Sequence, residues 1–252
     1  TSEYAHGLED VLNKNKHKLR GILNGIDYDV YDPAKSKSLF VNYSATSLEK
    51  KAENKQELQK MLGLNVDAGA PLIAMITRLV NHKGISLVRS AFNDIMNSGA
   101  QFVILGTGDA DHENFFRHMQ NLYGNRVHAV ITFNKDLAQK IYAGADIFLM
   151  PSLSEPCGLS QMIALRYGTV PVVRTTGGLK DSIEDCGDGK TGNGFTFSGA
   201  NAGELKHAVD RAVGLYCVYG DIWKGLRERA AKCDFSWTES AIKYQAFYDE
   251  MF

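Results

Sequence analysis

The sequence lacks the features that would commit it to a membrane or to a polyanionic partner. Its longest apolar runs, near Ile73 and Phe148, have the length of a strand, so no transmembrane helix is predicted. Lys and Arg number 28 against 29 Asp and Glu, and the net charge of −1 provides no general attraction to nucleic acid or to an anionic membrane. We therefore expect neither partner, and any anion site must be local.

Support for metal or disulfide chemistry is also missing. The 4 cysteines form no CxxC pair and no zinc spacing, and the 7 histidines form no HExxH or paired metal spacing. We therefore expect no metal, no cofactor and reduced thiols in a cytoplasmic protein.

Two familiar phosphate-binding motifs are incomplete. The GTG at positions 106–108 is followed by Asp111 where the GxGxxG fingerprint has its third glycine, which argues against a nicotinamide cofactor. The GKT at 189–191 has Glu184 where a P-loop has its first glycine, and it precedes a strand-like segment instead of a helix. We therefore interpret the second motif as a glycine-rich surface loop.

The beginning of the sequence, TSEY, has no initiator Met and is not a signal peptide. An amphipathic segment follows at once, with apolar residues that predict a first helix from Leu8. We expect the chain to be a fragment of a longer protein.

Apolar runs alternate with helical patterns from Pro71 onward, after a polar helix at 47–62 that ends at Gly63 and an Asn24-Gly25 turn signal. Strands are predicted at 72–77, 102–105, 127–133, 146–150, 170–173 and 195–197. Helices are predicted at 85–96, 112–123, 135–143, 159–167, 179–185, 202–218, 221–232 and 237–251. This alternation predicts an α/β fold with a doubly wound, mostly parallel sheet and helices on both faces.

Ligands of such sheets bind beyond the carboxyl ends of the strands. The segments that follow those ends are 77–84, 106–109, 132–134, 151–159 and 174–178, and they contain Arg78, Lys83 and Glu155. In the segment 151–159, a carboxylate that accepts hydrogen bonds from sugar hydroxyls precedes a predicted helix start at Gly158, whose N–H groups attract phosphate. Both groups together indicate a sugar-nucleotide site.

Each of these residues also has an ordinary structural interpretation. Arg78 and Lys83 either neutralise a diphosphate or are surface loop charges. Phe133 either stacks on a base or belongs to the core. The glycines at 106 and 177–178 either let the backbone approach a ligand or only form tight turns.

Five motifs occur together in a fixed order: NGID (24–27), TRL with KG (77–79, 83–84), EPCGL (155–159), RTTGGL (174–179) and DFSW (234–237). Over nearly the whole chain this set resembles bacterial-type glycogen synthases and plant starch synthases, which are ADP-glucose-dependent glycosyltransferases of the GT-B fold. The resemblance implies transfer of glucose from ADP-glucose to the non-reducing end of an α-1,4-glucan, with retention and without a metal.

The resemblance also implies a division of the chain. Residues 1–33 are expected to be an inter-domain linker and a helix of the preceding domain, 34–234 a Rossmann-like donor domain, and 235–252 a helix that crosses back. The N-terminal acceptor domain, with a KxGGL loop and a catalytic-site histidine, is absent from the sequence. We therefore expect the chain to be the donor-binding half and inactive alone, cytoplasmic in a bacterium and plastidic in a plant.

By the same match, Arg78 and Lys83 correspond to the diphosphate-binding pair and Glu155 to the carboxylate at the donor sugar. Asn24 corresponds to an asparagine near the glucose, and Phe133 to an aromatic against adenine. The full set implied to bind the donor is Asn24, Gly106, Phe133, Cys157, Gly158, Leu159, Ser160, Thr176, Gly177 and Gly178. Another GT-B enzyme that uses a sugar nucleotide (a UDP-sugar transferase or an epimerase) and a non-catalytic nucleotide- or glucan-binding module remain as alternatives.

Overall fold

The computed structural model describes residues 7–251, and these contain a sheet of six strands that pair in parallel throughout. The strands are β1 (Leu72–Ile76), β2 (Gln101–Leu105), β3 (Val127–Val130), β4 (Ile147–Met150), β5 (Val170–Arg174) and β6 (Phe195–Phe197). Their order in the sheet is β3-β2-β1-β4-β5-β6, so the chain reverses its direction of winding between β1 and β4. This order confirms the predicted doubly wound α/β fold.

The helices lie on both faces of the sheet. Their bounds are α1 (Glu9–Asn15), α2 (Lys51–Met61), α3 (Ile85–Asn97), α4 (Ala110–Tyr123), α5 (Lys135–Gly144), α6 (Ser160–Arg166), α7 (Gly177–Ser182), α8 (Ala202–Val218), α9 (Gly220–Lys232) and α10 (Trp237–Asp249). None of the helices within residues 7–251 combines the length and the apolarity needed to cross a bilayer.

The strands bury both of their faces because successive side chains point to opposite sides of the sheet. In β1, Ile73 and Met75 join a core cluster with side chains of α3, α4 and α8. Leu72 and Ala74 join the opposite cluster with side chains of α2, α5 and α6. Continuous apolar runs are therefore the pattern that the sheet needs.

Helix α2 buries several polar side chains, although the polar sequence of the helix predicted at 47–62 is typical of an exposed helix. After a 3₁₀ turn at Leu48–Lys50, the Lys51 ammonium donates to the carbonyl oxygens of Tyr142 (2.8 Å) and Ala143 (2.7 Å) and to the Thr169 hydroxyl (2.7 Å). Burial lowers the pKa of Lys51 well below its ordinary value. The two carbonyls belong to the last turn of α5, where helical C=O groups lack intrahelical partners, so this lysine caps α5.

A second buried lysine joins α2 to the centre of the sheet. The Lys55 ammonium lies 2.8 Å from Oδ2 of Asp146, and the two side chains are only 6% and 9% exposed. The same carboxylate oxygen accepts the N–H of Leu72 at 2.9 Å. Because Asp146 directly precedes β4 and Leu72 begins β1, one ion pair holds a helix and both central strands.

A segment near the beginning of the described residues packs at Gly25 against a segment near their end. A Cβ at Gly25 would lie 2.4 Å from the backbone nitrogen of Trp237, and Ile26 pairs with Ser236 in a short parallel bridge. The predicted turn at Asn24-Gly25 is therefore wrong, because this glycine serves a close approach to the start of α10. Residues 1–6, which belong to the predicted linker, and residue 252, the last of the predicted crossover helix, lie outside the described residues.

Two predicted elements have different bounds for local reasons. Strand β3 ends at Val130 and not at 133, because the N–H of Thr132 turns back to the Val130 carbonyl oxygen (3.1 Å). Helix α7 begins at Gly177 and ends at Ser182 rather than spanning 179–185. Its predicted end is lost because the N–H of Glu184 pairs with the Asn193 side chain (2.9 Å), which draws the chain into the loop before β6.

We expect Asp146→Asn to lower the free energy of unfolding by about 3 kcal/mol, because it leaves the Lys55 ammonium buried without a counter-ion. Urea unfolding measures the change. The matched control is Glu57→Gln in the exposed Lys60–Glu57 pair (2.7 Å), where a change below about 0.5 kcal/mol is expected. Equal effects of the two substitutions would contradict the role of the buried pair.

The loss of unfolding free energy at acidic pH is expected to depend on Asp185. Burial acts to raise the pKa of this carboxyl, but hydrogen bonds from Arg211 and from the N–H groups of Gly187 and Thr196 hold it down to about 2. A carboxyl with a lowered folded-state pKa stabilises the fold above its unfolded pKa of about 3.9 and loses this contribution as the pH falls toward 2. Urea unfolding of Asp185→Asn should therefore show a flatter pH dependence between about pH 4 and 2, by roughly 1–2 kcal/mol. An equally steep loss in the variant would count against this assignment.

Candidate functional site

The loops that follow β1 and β4 meet where the winding of the sheet reverses. The N–H of Leu153 donates to the carbonyl oxygen of His82 at 2.9 Å. Gly84 has φ +74°, and a Cβ there would lie 2.0 Å from the carbonyl oxygen of Pro151. The glycine is therefore required for the two loops to touch, and their side chains come together at the position where doubly wound sheets bind ligands.

Lys83 and Glu155, one from each loop, form an ion pair. The Lys83 ammonium lies 2.7 Å from Oε2 of Glu155, and the Ser152 hydroxyl donates to the same oxygen at 3.1 Å. Glu155 is 8% exposed and Lys83 is half-buried. The pair is thus largely withdrawn from water. Charge–charge interactions are stronger in such a partly buried position than on the surface.

A cavity of about 230 Å³ contains both members of the pair and the exposed Arg78. The guanidinium Nη2 of Arg78 lies 3.4 Å from the ring nitrogen Nε2 of His82. The cavity therefore has two cations and one carboxylate in its wall. The sequence predicted that these three residues lie at the same edge of the sheet, and the structure brings them together. Two cations suit a diphosphate, and a carboxylate suits the hydroxyl groups of a sugar.

A second cavity, of about 370 Å³, adjoins the first, and the two share Ile76, Thr77, Arg78, Leu159 and Ser160 in their walls. Phe133 lines it and is 80% exposed, so the interpretation of Phe133 as a core residue is wrong. Val30 and Tyr31, from the segment before β1, line it as well.

The polar wall of this second cavity includes the buried phenol of Tyr142. Burial raises the pKa of Tyr142 well above its ordinary value, with the Ser160 hydroxyl acting in the opposite direction. The phenol is therefore neutral at physiological pH and is able to donate a hydrogen bond.

The glycine motifs mainly let loops pack against one another. A Cβ at Gly106 would lie 1.8 Å from the Thr77 carbonyl oxygen, although Gly106 also lines the larger cavity. A Cβ at Gly177 would lie 2.1 Å from the carbonyl oxygen of Glu155, and one at Gly178 equally close to that of Cys157. Thr176, Gly177 and Gly178 are absent from the walls of both cavities, so their close contact is with the loop of Glu155.

Arg174 holds the Glu155 loop from the side of β5 and β6. Its Nη1 donates to the Leu153 carbonyl oxygen and its Nε to the Ser198 carbonyl oxygen, each at 3.0 Å. The Leu153 peptide is therefore bonded at its N–H by one neighbouring loop and at its C=O by another.

Helix α6 begins at Ser160, one residue after the first residue of the helix predicted at 159–167 and two residues after Gly158. Gly158 has φ +70°, and the Gln161 side chain donates to the carbonyl oxygens of Cys157 (3.1 Å) and Gly158 (2.9 Å). The exposed Leu159 and the hydroxyl-bearing Ser160 line both cavities, and Gly158 lines the smaller one. The bend before the helix therefore forms part of the cavity wall.

Asn24 and Cys157, like Thr176, Gly177 and Gly178, are predicted donor-binding residues that line neither cavity. Asn24 is exposed and lines neither cavity. Cys157 is a half-buried free thiol that packs against the core on the α2 side. Within residues 7–251, no group of three or more His, Cys, Asp or Glu side chains is arranged to hold a metal ion.

Sequence reasoning also missed residues that the structure brings to the site. Ser152 lies in the segment 151–159 but had no predicted role, and Tyr31 and Gln139, which line the second cavity, belong to no motif. For Ser152, a Pro-Ser pair after an apolar run indicates a turn, and such a pair does not predict a contact with Glu155.

Comparison with known proteins identifies the family to which the chain is similar. The family model described as "Glycosyl transferases group 1" matches residues 54–216. The glycogen synthases of Clostridium beijerinckii and Thermosipho melanesiensis are each 48% identical to the chain, covering 100% and 99% of it and 52% of their own length. The chain thus spans about half the length of the curated relatives it matches, and the predicted resemblance is confirmed.

Solved structures give the same result. The catalytic domain of Starch Synthase IV from Arabidopsis thaliana, bound to ADP and acarbose, superposes with a TM-score of 0.91 at 38% identity, covering 99% of this chain and 52% of that one. Sucrose-phosphate synthase from Thermosynechococcus elongatus, at 19% identity and a TM-score of 0.66, covers 97% of this chain and 56% of its own and shares the fold. Because the family model matches more than half of the length of this chain, the chain belongs to the group 1 glycosyl transferases.

Proposed function

We propose that this chain is the donor-binding half of a glucosyltransferase of the glycogen and starch synthase type. The whole enzyme would transfer glucose from ADP-glucose to the non-reducing end of an α-1,4-glucan with retention. The observation that carries the proposal is the meeting of Arg78, Lys83 and Glu155 in one cavity that shares part of its wall with a second cavity lined by Phe133. The similarity to glycogen synthases and to a starch synthase bound to ADP and acarbose supports it.

The two cations suit the departing nucleotide. Negative charge grows on the diphosphate as the glycosyl bond breaks, and fixed cations in a partly dehydrated cavity stabilise that charge most in the transition state. Arg78 offers a planar guanidinium that binds two oxygens at once, and Lys83 offers a compact ammonium. Their loop is held to the Glu155 loop through the backbone, so the main chain that carries both cations is in place before a ligand arrives.

Glu155 suits the sugar. Its carboxylate lines the smaller cavity, where it would accept hydrogen bonds from glucose hydroxyls and support positive charge at the anomeric carbon. We assign it no nucleophilic role, because a retaining mechanism through a covalent intermediate needs a carboxylate at a defined distance from that carbon.

The larger cavity suits the nucleoside. Phe133 offers an exposed aromatic face for stacking, and the neutral Tyr142 phenol lines the same cavity. With the base in the larger cavity and the sugar in the smaller one, the diphosphate would lie against Arg78, which belongs to both walls.

The other half of the enzyme would cover exposed apolar side chains on α1 and α10, near the two ends of the described residues. In the described residues, α1 contains no buried side chain and α10 buries only Ser240. Their exposed apolar residues are Leu8, Val11, Leu12, Trp237, Ile242, Tyr244 and Tyr248. An apolar surface of this kind marks an interaction site.

The proposed division is an inter-domain linker and a helix of the preceding domain (1–33), a donor domain (34–234) and a crossover helix (235–252). The preceding domain would pack on α1 and α10, supply the acceptor site and close the cleft for chemistry. On this proposal the chain alone binds nucleotide weakly and transfers no glucose.

In the full-length enzyme that carries this chain, Lys83→Ala and Arg78→Ala should each lower kcat/KM for ADP-glucose by about 100-fold or more, because each removes a fixed charge that stabilises the transition state. Incorporation of glucose into glycogen measures the effect. Lys180→Ala is the control, since Lys180 is an exposed lysine that lines neither cavity. Near-normal turnover in the Lys83 and Arg78 variants would remove the basis of the assignment.

Phe133→Ala should weaken ADP binding by about 10-fold, since stacking of a base on an aromatic side chain contributes about 1–3 kcal/mol. Calorimetry on the 252-residue chain measures it, with Phe133→Tyr as the control that keeps the ring. The stability should not change, because the side chain is 80% exposed. Tighter binding of UDP than of ADP by the unmodified chain would favour a UDP-sugar enzyme, and nucleotide binding without transfer by the full-length protein would favour a non-catalytic module.

A further inference from the structure

The two carboxylate oxygens of Glu155 have different surroundings. Oε2 accepts hydrogen bonds from the Lys83 ammonium at 2.7 Å and from the Ser152 hydroxyl at 3.1 Å. Among the described residues, no donor lies within hydrogen-bonding distance of Oε1. Oε1 is also not one of the buried, unpartnered atoms, and Glu155 lines the smaller cavity, so Oε1 faces the space a ligand would fill.

The two donors to Oε2 differ in how they respond to a ligand. On the proposed function, a diphosphate enters the cavity that Lys83 lines and competes for its ammonium with more than one negative charge. A flexible lysine follows the stronger charge, so Oε2 then loses its contact at 2.7 Å.

Ser152 has no such freedom. It is 1% exposed and lies between two residues whose backbones are held. Pro151 touches Gly84, and Leu153 is bonded at its N–H by His82 and at its C=O by Arg174. The Ser152 hydroxyl therefore stays where it is whether or not Lys83 has moved.

We propose that Ser152 is a positioning residue for glucosyl transfer: its hydroxyl holds Oε2 of Glu155 after the donor has drawn Lys83 away, so that Oε1 stays directed at the sugar hydroxyls. The inference rests on the proposed function and adds a residue that acts through Glu155. Without the hydroxyl, the carboxylate would be free to rotate at the moment when the sugar is bound.

The expected signature is a separation of nucleotide binding from transfer. ADP has no glucose for Oε1 to contact, so Ser152→Ala should leave the ADP affinity of the 252-residue chain within about 2-fold of its original value, measured by calorimetry. In the full-length enzyme the same substitution should lower kcat/KM for ADP-glucose by about 10-fold, a loss of about 1.4 kcal/mol in transition-state stabilisation.

Two further variants distinguish the hydrogen bond from packing. Ser152→Cys keeps a similar volume but offers only a weak donor, so it should behave like Ser152→Ala. Ser152→Thr keeps the hydroxyl and should restore transfer to within about 3-fold of the unmodified enzyme. If threonine does not fit the buried position, which circular dichroism would show, the alanine and cysteine variants still decide the question.

The matched control is Ser98→Ala, which also removes one hydroxyl hydrogen bond (to the Ile95 carbonyl oxygen, 2.6 Å). Ser98 follows the C-terminal end of α3, whereas the loop of Lys83 precedes the N-terminal end of that helix. This substitution should change neither ADP affinity nor transfer. Transfer by Ser152→Ala within 2-fold of normal, or a parallel loss of ADP affinity and transfer, overturns the positioning role. A complete lack of ADP binding by the unmodified chain would instead refute the proposed function, and this inference with it.

Discussion

Main-chain contact between the loops that follow β1 and β4 is the constraint on which the candidate site depends. The Leu153 peptide is bonded on one side to the loop of Lys83 and on the other to Arg174, which itself belongs to the end of β5. Two loops at the carboxyl edge and the end of β5 are therefore joined through backbone groups and one guanidinium. Because the main chain of these segments is already in place, only side chains need to adjust when a ligand arrives, and charges held close to a ligand in advance are the most effective in catalysis.

The fold and the edge of the sheet that carries the site could be predicted because both depend on local patterns. Apolar runs of strand length alternate with helical periodicity, and parallel strands place their following loops at one edge. The direct pairings that could not be predicted join residues far apart in sequence: the ion pair of Lys55 with Asp146, and that of Lys83 with Glu155, for which the sequence predicted only a common edge of the sheet. A lysine in a polar helix looks the same in sequence whether it faces water or a buried carboxylate, so the pattern of α2 predicted only the helix.

The glycines show a related limit. From sequence, a glycine before a helix indicates a backbone that approaches a ligand or one that approaches another loop, and the two cases have the same pattern. At Gly177 and Gly178 the partner is the loop of Glu155, and at Gly106 it is the loop after β1. These motifs thus identify a scaffold in which strand-end loops touch, and the ligand chemistry depends on Arg78, Lys83 and Glu155.

The common wall of the two cavities also matters for the design of inhibitors. Separate cavities of about 230 and 370 Å³ that share five wall residues lie close enough for one molecule to occupy both. An anionic fragment that fits the smaller cavity and an aromatic fragment that fits beside Phe133 could be linked across Leu159 and Ser160. Once one fragment is bound, the other experiences a high effective concentration, and linking of this kind raises affinity by about 10² to 10⁴ when the linker matches the span.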